Sequence, residues 1–426
     1  MKISPARKAA FDVLLKVQTT EENSSSLLAA AEAALDARDA ALCHEIVLGT
    51  LRRQMPLDKY IEALGGTRTL DDEVRTALRL GIYQIKYLDR VPAHAAVGES
   101  VGLVQIARKR SASGFVNAIL RKASTLIPRL NFPAGVEHLS LSTSHPQWLI
   151  EKWIRQFGRD EAEALAHANN EPSPVSFRLL PSNRELPATL GGDIWASRLV
   201  PGAFSVAGHG RELIDLEKAA QIYLQEEGSQ LVATAVGVSA GGDFLDVCAA
   251  PGGKTGLISS RTGARTVAGD VSSARARFLK ENLARQRVEA DVVQYDADVG
   301  LPFPDDAFDA ILLDAPCTGT GTIRSNPEIR YRVTEDDIER LSRKQRAILK
   351  NASKLLKRGG LLVYSTCSLE REENEDVIDT FLSEESDFRA ERPNVPDRFL
   401  TDGGYARTWP QRDGMDGFFI AALRRI

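Results

Sequence analysis

The chain reads as an α/β protein: a Rossmann-like, doubly wound parallel sheet preceded by an all-helical domain and a small mixed α/β linker. Three features of its 426 residues say so. From Ser4 to about Leu130, Ala- and Leu-rich segments repeat with helical period, and strand-like alternation is nearly absent. From about Gln225 onward, short apolar runs alternate with amphipathic stretches, the pattern of a parallel sheet covered on both faces. Between the two, Pro133, Pro146, Pro172, Pro174, Pro181, Pro187 and Pro201 punctuate short elements. The expected domains are 1–135, 136–224 and 225–426.

In order along the chain, helical spacing runs over 9–17, 27–35, 40–51 and 72–88, breaks at Pro92, and resumes over 95–107, giving five to seven helices. His145-Pro146-Gln147-Trp148 opens a further helix to about Phe157, with proline at an early helical position. In the last domain the strands fall at 244–248, 266–270, 291–296, 308–314 and 361–365, with a late strand at 417–423. Helices fall between them at 274–285, 338–356 and 372–383. A sheet of this kind presents its ligands beyond the carboxyl ends of the strands.

Composition narrows the class. Hydrophobic residues are 43% and charged residues 26%, enough apolar material for more than one core. No apolar run approaches the ~20 residues that span a bilayer, and 1–15 shows no signal-peptide pattern, so a cytoplasmic protein without a membrane is expected. The net charge of −4 argues weakly against a nucleic-acid partner, but residues 1–140 hold 19 Lys+Arg against 15 Asp+Glu, or +4, which leaves −8 for the remainder. Two basic knots there, Arg108-Lys109-Arg110 and Arg121-Lys122, are candidate phosphate contacts, although solvated helix faces look the same. The four cysteines Cys43, Cys248, Cys317 and Cys367 form no C-x-x-C pair, so neither a metal site nor a disulfide framework is expected.

The sharpest local feature is a strand ending at Asp246-Val247 and followed by Cys248, Ala249, Ala250, Pro251, Gly252, Gly253 and Lys254. Small residues let backbone N–H groups approach a ligand, and the helix start behind them favours a carboxylate. A phosphate-binding P-loop is excluded, because the glycine required five residues before Gly253 is Cys248. Asp270 closes the next strand, 24 residues after Asp246, where an acid can accept ribose hydroxyls. Asp296 ends the one after, where a carboxylate can receive an adenine amino group. Asp ends strands in many turns, but three in succession beside a glycine loop point to an adenosine-type ligand.

Two further strand ends carry thiols. One leads into Asp314-Ala315-Pro316-Cys317-Thr318-Gly319, the other into Thr366-Cys367-Ser368. A lone cysteine is usually a small buried hydrophobe; two at adjacent loop mouths, flanked by hydroxyl residues, suit that reading poorly. Carbon 5 of a cytosine is a weak nucleophile until a thiolate adds to carbon 6. Asp314 is placed to supply the proton or hydrogen bond at ring nitrogen 3, and a second basic group must remove the carbon 5 proton. Both thiols need lowered pKa values, from Lys254 or a helix N-terminus.

These residues resemble the RNA (cytosine-5) methyltransferase family, in its bacterial 16S ribosomal RNA branch, over nearly the whole chain. The resemblance implies a class I S-adenosylmethionine-dependent methyltransferase fold. It implies that Cys248 through Lys254, with Asp270, Asp296 and Asp314, bind S-adenosyl-L-methionine. Cys367 would be the nucleophile, Cys317 the residue of product release, Asp314 the nitrogen 3 contact and Lys254 a positioning group. Arg38-Asp39-Ala40, 45–53, 80–84 and 114–121 are similar to a NusB-type RNA-binding domain. His145–Trp148, 225–230 and 415–419 are also family-like. The chain departs from the family in Pro-Cys-Thr-Gly for Pro-Cys-Ser-Gly, and in Asn326 where His is common. The expected partner is small-subunit ribosomal RNA, bound by a monomer. A tRNA or other rRNA target, or a non-catalytic RNA-binding assembly factor, stays open on the sequence alone.

Overall fold

The computed structural model describes residues 3–181, 183, 185–187, 190, 194–207 and 211–426. The chain forms two compact units, Met1–Pro172 with Ile323–Arg332, and Ser173–Thr322 with Val333–Ile426.

The first unit is helical. Pro5–Thr19, Ser24–Glu32, Ala37–Arg52, Gln54–Gly65, Asp72–Tyr87, Ala93–Ile106 and Ser113–Thr125 make up the seven α-helices described before residue 130. Helix Asp72–Tyr87 lies at the centre: Val74, Ala77, Leu78, Gly81 and Ile82 carry the apolar spacing, and Leu80 and Tyr83 are buried as well. Two of its buried polar side chains are paired, Arg79 with both oxygens of Asp58 and Gln84 with Arg7. Val136–Thr143, Gln147–Phe157 and Arg159–Ala168 continue the unit. The expected 136–224 region thus divides at Pro172, since its first proline and glycine stand at helix starts: Pro146 and Gly158 are N-caps.

The decapeptide Ile323–Arg332 is embedded in this helical unit and serves its helix ends. The carboxylate of Glu328, 1% exposed, accepts from the Ser24 N–H and hydroxyl at 2.7 Å each. It caps a helix whose own N-cap, Asn23, makes no side-chain bond. Arg332 donates to the carbonyls of Val17, Thr20 and Glu22 around the end of Pro5–Thr19. Arg330, fully buried, donates to the carbonyls of Thr143 and Asn169 at two more helix ends. Asn326 accepts from the Ser25 hydroxyl.

The second unit holds two sheets. Val175–Leu179 (β1), Ile194–Ala196 (β2), Ala203–Val206 (β3) and Ile222–Leu224 (β4) form an antiparallel sheet in the order β2-β3-β1-β4. It packs on helix Arg211–Lys218 through Phe177, Val206, Leu213, Leu216 and Ile222. The larger sheet comprises Asp243–Asp246 (β5), Arg265–Asp270 (β6), Asp291–Gln294 (β7), Phe308–Asp314 (β8), Leu356–Thr366 (β9), Phe388–Glu391 (β10), Ala406–Arg407 (β11) and Phe419–Arg425 (β12). Its order is β10-β12-β9-β8-β5-β6-β7, with β11 on β12. Strands β5 to β9 pair in parallel and β12 runs antiparallel to β9. Ile311, Leu312 and Leu313 on β8 are wholly buried, as a strand covered on both faces requires.

This topology places the site. The chain leaves β5 for β6 and β7 on one side, then returns to β8 and β9 on the other, so the loops after β5 and β8 diverge and open a crevice. The observed elements differ from the sequence reading chiefly at their ends. Strand β7 stops at Gln294, two residues before Asp296, and the late strand begins at Phe419 rather than at 417. The helix expected at 338–356 is Glu335–Ser353, started by a Thr334–Asp337 capping box.

Replacing Glu328 with Ala leaves the Ser24 donors buried without an acceptor, and we expect a loss of about 2 kcal/mol from the helical unit. Urea unfolding followed by circular dichroism measures it, and an unchanged midpoint would show that the cap adds no stability.

Candidate active site

The loop after β5 is shaped by its backbone. Gly252 sits at φ 102°, where an L side chain is strained, and a Cβ there would meet Leu279 at 2.8 Å. Helix Gly253–Thr262 begins at the next residue, so the small residues end in a helix N-terminus. Carboxylates surround the loop. Burial pushes the Cys248 thiol up, and Asp246, Asp270 and Asp314 add to the rise. Asp270 is 4% exposed, accepts an ion pair from Arg275 at 3.2 Å, and receives the Ser272 N–H.

Asp246 is almost fully buried. Oδ2 accepts from the Thr255 hydroxyl at 2.6 Å, while Oδ1 has no hydrogen-bond partner among the described residues. Burial raises its pKa to about 7, with the nearby charge of Asp314 contributing. A buried acceptor left open at the mouth of a ligand crevice suits a ligand that brings its own donor.

On β8 and β9, parallel register sets Asp314 beside Ser365. The Ser365 hydroxyl donates to Asp314 Oδ1 at 2.6 Å, and Lys254 Nζ donates to Oδ2 at 2.7 Å. Burial by itself would lower the Lys254 pKa, but Asp314, Cys367 and Asp246 outweigh it and hold the ammonium charged. The Phe418 ring lies 5.1 Å from Nζ, a cation–π contact on the remaining side.

Beyond these strands, Cys317 Sγ and Cys367 Sγ stand 3.5 Å apart, both half-buried. The two loops are tied by the Gly321 N–H on the Cys367 carbonyl and the Gly417 N–H on the Gly321 carbonyl. A Cβ on Gly321 would lie 2.1 Å from the Gly417 oxygen, so only glycine allows this approach. The Cys317 thiol is pushed well up, first by its hydrogen bond to Cys367, then by burial and by the charges of Glu373 and Asp314. For Cys317 this is opposite to the lowered pKa the sequence reading asks of both thiols. Lys254 does not correct it, because its charge is engaged by Asp314.

A family model described as 16S rRNA methyltransferase RsmB/F matches residues 233–424, one for the NusB family matches 4–125, and one for an RsmF/B-like ferredoxin-like domain matches 145–182. Ribosomal RNA small subunit methyltransferase B of Pseudomonas putida is 34% identical over 99% of this chain and 98% of its own. The probable ribosomal RNA small subunit methyltransferase B of Bacillus subtilis is 30% identical over the full length of both. The chain belongs to this methyltransferase B family. The crystal structure of PH0851 matches 100% of both chains with a TM-score of 0.87 at 26% identity.

The chain is therefore a methyltransferase of a family dependent on S-adenosylmethionine, with a NusB-type helical domain ahead of the methyltransferase fold. Among the residues singled out in the sequence, Cys248 to Lys254, Asp270, Asp314, Cys317 and Cys367 all lie at the carboxyl edge of the parallel strands. Asp296 is exposed, and its carboxylate accepts the Asp298 N–H of its own turn. The basic knots separate. Lys109 is paired with Asp71 at 2.9 Å and with Glu73, and Lys122 donates to the Leu64 carbonyl. Arg108, Arg110 and Arg121 are exposed; the first two line an 860 Å³ cleft with Gln105 and Asn117. The sequence reading missed Asp246 as a site residue and missed Ser365. Asp246 heads the strand-end series that ran through Asp270 and Asp296, and that was a usable signal. Ser365 carried none, because only the β8–β9 register brings it to Asp314.

A carboxyl whose folded pKa is raised from 3.8 to about 7 is one the fold prefers protonated. Its contribution is full below its ordinary value and is lost as pH rises toward 7. Asp246→Asn should therefore stabilise the second unit by about 1 kcal/mol near pH 8 and give no gain near pH 4.5. Denaturant melts at the two pH values test this, and an equal effect at both would refute it.

Proposed function

We propose that the chain transfers a methyl group from S-adenosyl-L-methionine to carbon 5 of a specific cytosine in 16S ribosomal RNA, with Cys367 as covalent nucleophile. The 3.5 Å approach of two sulfurs beside a carboxylate fixed on both oxygens carries this reading. The names of the relatives, ribosomal RNA small subunit methyltransferases, support the choice of RNA.

S-Adenosylmethionine, when bound, supplies an electrophilic methyl on a sulfonium sulfur. For its binding we assign Cys248, Ala249, Ala250, Pro251, Gly252, Gly253 and Lys254, with Asp246, Asp270, Asp296 and Asp314. The open Oδ1 of Asp246 and the helix start at Gly253 give places for an ammonium and a carboxylate. Cys367 adds to carbon 6 of the cytosine, forming a C–S bond and making carbon 5 nucleophilic. The negative charge this builds is relieved at nitrogen 3 by a proton held between Lys254 Nζ and Asp314 Oδ2, 2.7 Å apart. After methyl transfer the carbon 5 proton must leave before the C–S bond can break. Cys317 Sγ is the remaining sulfur within reach of the same ring. As a thiolate it takes the carbon 5 proton and becomes the neutral thiol, the form that its hydrogen bond to Cys367, burial and the neighbouring charges favour.

For the RNA we assign the NusB-like helical domain, 1–135, with Arg108, Arg110 and Arg121 as phosphate contacts. Lys109 and Lys122 are secondary, since each already has a partner. A stacked cytosine must be splayed out to reach the sulfurs, at a cost of a few kcal/mol, so loop cytosines are favoured.

Purified protein incubated with tritiated S-adenosylmethionine and small-subunit RNA tests the reaction. Cys367→Ala should abolish labelling of the RNA. Cys317→Ala should accumulate a protein–RNA adduct that survives denaturing electrophoresis, because addition proceeds and release does not. Adduct in the Cys367 variant instead would exchange the two roles. Asp246→Asn should weaken S-adenosylmethionine binding about tenfold by calorimetry, and unchanged affinity would remove Asp246 from the pocket.

A further inference from the structure

Behind the two sulfurs lies a carboxylate that the chemistry above leaves unused. Glu373 is fully buried in the turn Arg371–Glu373 that follows β9. Oε1 accepts from the Thr318 backbone N–H at 2.9 Å and from Gln345 Nε2 at 3.0 Å. Oε2 accepts from the hydroxyls of Thr318 and Ser368. Thr318 follows Cys317 and Ser368 follows Cys367, so one carboxylate holds the residue after each catalytic sulfur. Gln345 extends the clasp by donating also to the carbonyl of Pro316, on the other side of Cys317. Asn374 completes it around Cys367, accepting from the Thr366 hydroxyl and donating to the Ser368 carbonyl.

We propose that Glu373 is a positioning residue that fixes the Cys317 and Cys367 loops at one spacing, so that both sulfurs serve a single base. The proposal rests on the covalent reaction given above. Its geometry is unequal: Glu373 takes two bonds from Thr318 and one from Ser368. Loss of the carboxylate therefore frees the Cys317 loop more than the Cys367 loop. Addition to carbon 6 continues while release slows, and enzyme collects on the RNA. The cofactor loop after β5 makes none of these bonds, so S-adenosylmethionine binding is unaffected.

The two oxygens also differ in what they face. Oε1 receives N–H groups that can only donate, whereas Oε2 receives hydroxyls that can turn and accept instead. A glutamine with its oxygen at Oε1 and its amide nitrogen at Oε2 keeps all four contacts, and an alanine keeps none.

The test compares Glu373→Ala, Glu373→Gln and Cys317→Ala in the full chain, with small-subunit RNA as probe. For Glu373→Ala we expect kcat to fall about tenfold or more, KM for S-adenosylmethionine to stay within about twofold, and a denaturation-resistant adduct to appear. Glu373→Gln should restore turnover to within about threefold and leave no adduct. If Glu373→Ala does not fold, Thr318→Val removes one of the two Thr318 bonds and should accumulate adduct in its place. The inference is overturned if turnover per folded molecule is unchanged, if KM rises in step with the loss of kcat, or if turnover falls without adduct while Cys317→Ala does accumulate it. Absence of adduct from Cys317→Ala would instead refute the covalent reaction itself, leaving the two failures distinguishable.

Discussion

The ion pair between Lys254 and Asp314 is the constraint on which the site depends. It joins the loop after β5 to the end of β8, the two places where the sheet reverses its strand order. Withdrawing two charges from water is costly, and such a pair is favourable only when its remaining valences are filled. Here Ser365 fills the second oxygen of Asp314, and the Phe418 ring covers the ammonium. The pair thus takes one member from the helix start after β5, one from the end of β8, and a hydrogen bond from the strand that leads to Cys367. Displacement of any one of these loops would leave a partly buried charge without its partner, so the three strand ends hold a common position.

The site is also costly to the fold that carries it. Asp246 keeps a buried oxygen without a partner among the described residues, and Cys317 sits beside carboxylates that oppose its ionisation. A more stable sequence would replace both groups. Groups that cost the fold stability in this way mark a functional surface.

The candidate site residues were legible in the sequence because each stands at or just past a strand end, where apolar runs give way to glycine, proline or hydroxyl residues. Cys248 to Lys254, Asp314, Cys317 and Cys367 are all of this kind. What depends on register was not legible. Ser365 meets Asp314 only through β8–β9 pairing, and Glu373 meets Thr318 across 55 residues of chain. Asp296 was placed at a strand end, but β7 ends two residues earlier and the carboxylate turns back on its own loop. Lys109 sits in a run of three basic residues, yet acids 36 and 38 residues earlier in the chain neutralise it. Of the helices of 136–172, Gln147–Phe157 was legible from its early proline, whereas Val136–Thr143 and Arg159–Ala168 were hidden because each follows a glycine, which signals a helix start as readily as a loop. The decapeptide 323–332 showed no periodic pattern, since its side chains satisfy the ends of other helices and form no face of their own.

That decapeptide sets an order on the making of the protein. A chain emerging from the ribosome delivers residues 1–172 long before Glu328, Arg330 and Arg332 exist. Until they arrive, the Ser24 amide and the carbonyls of Val17 and Asn169 must be served by water, and the helical unit is unfinished. Its completion therefore waits on translation through the Cys317 loop, and a fragment cut at residue 172 would lack the caps that an intact chain supplies from within.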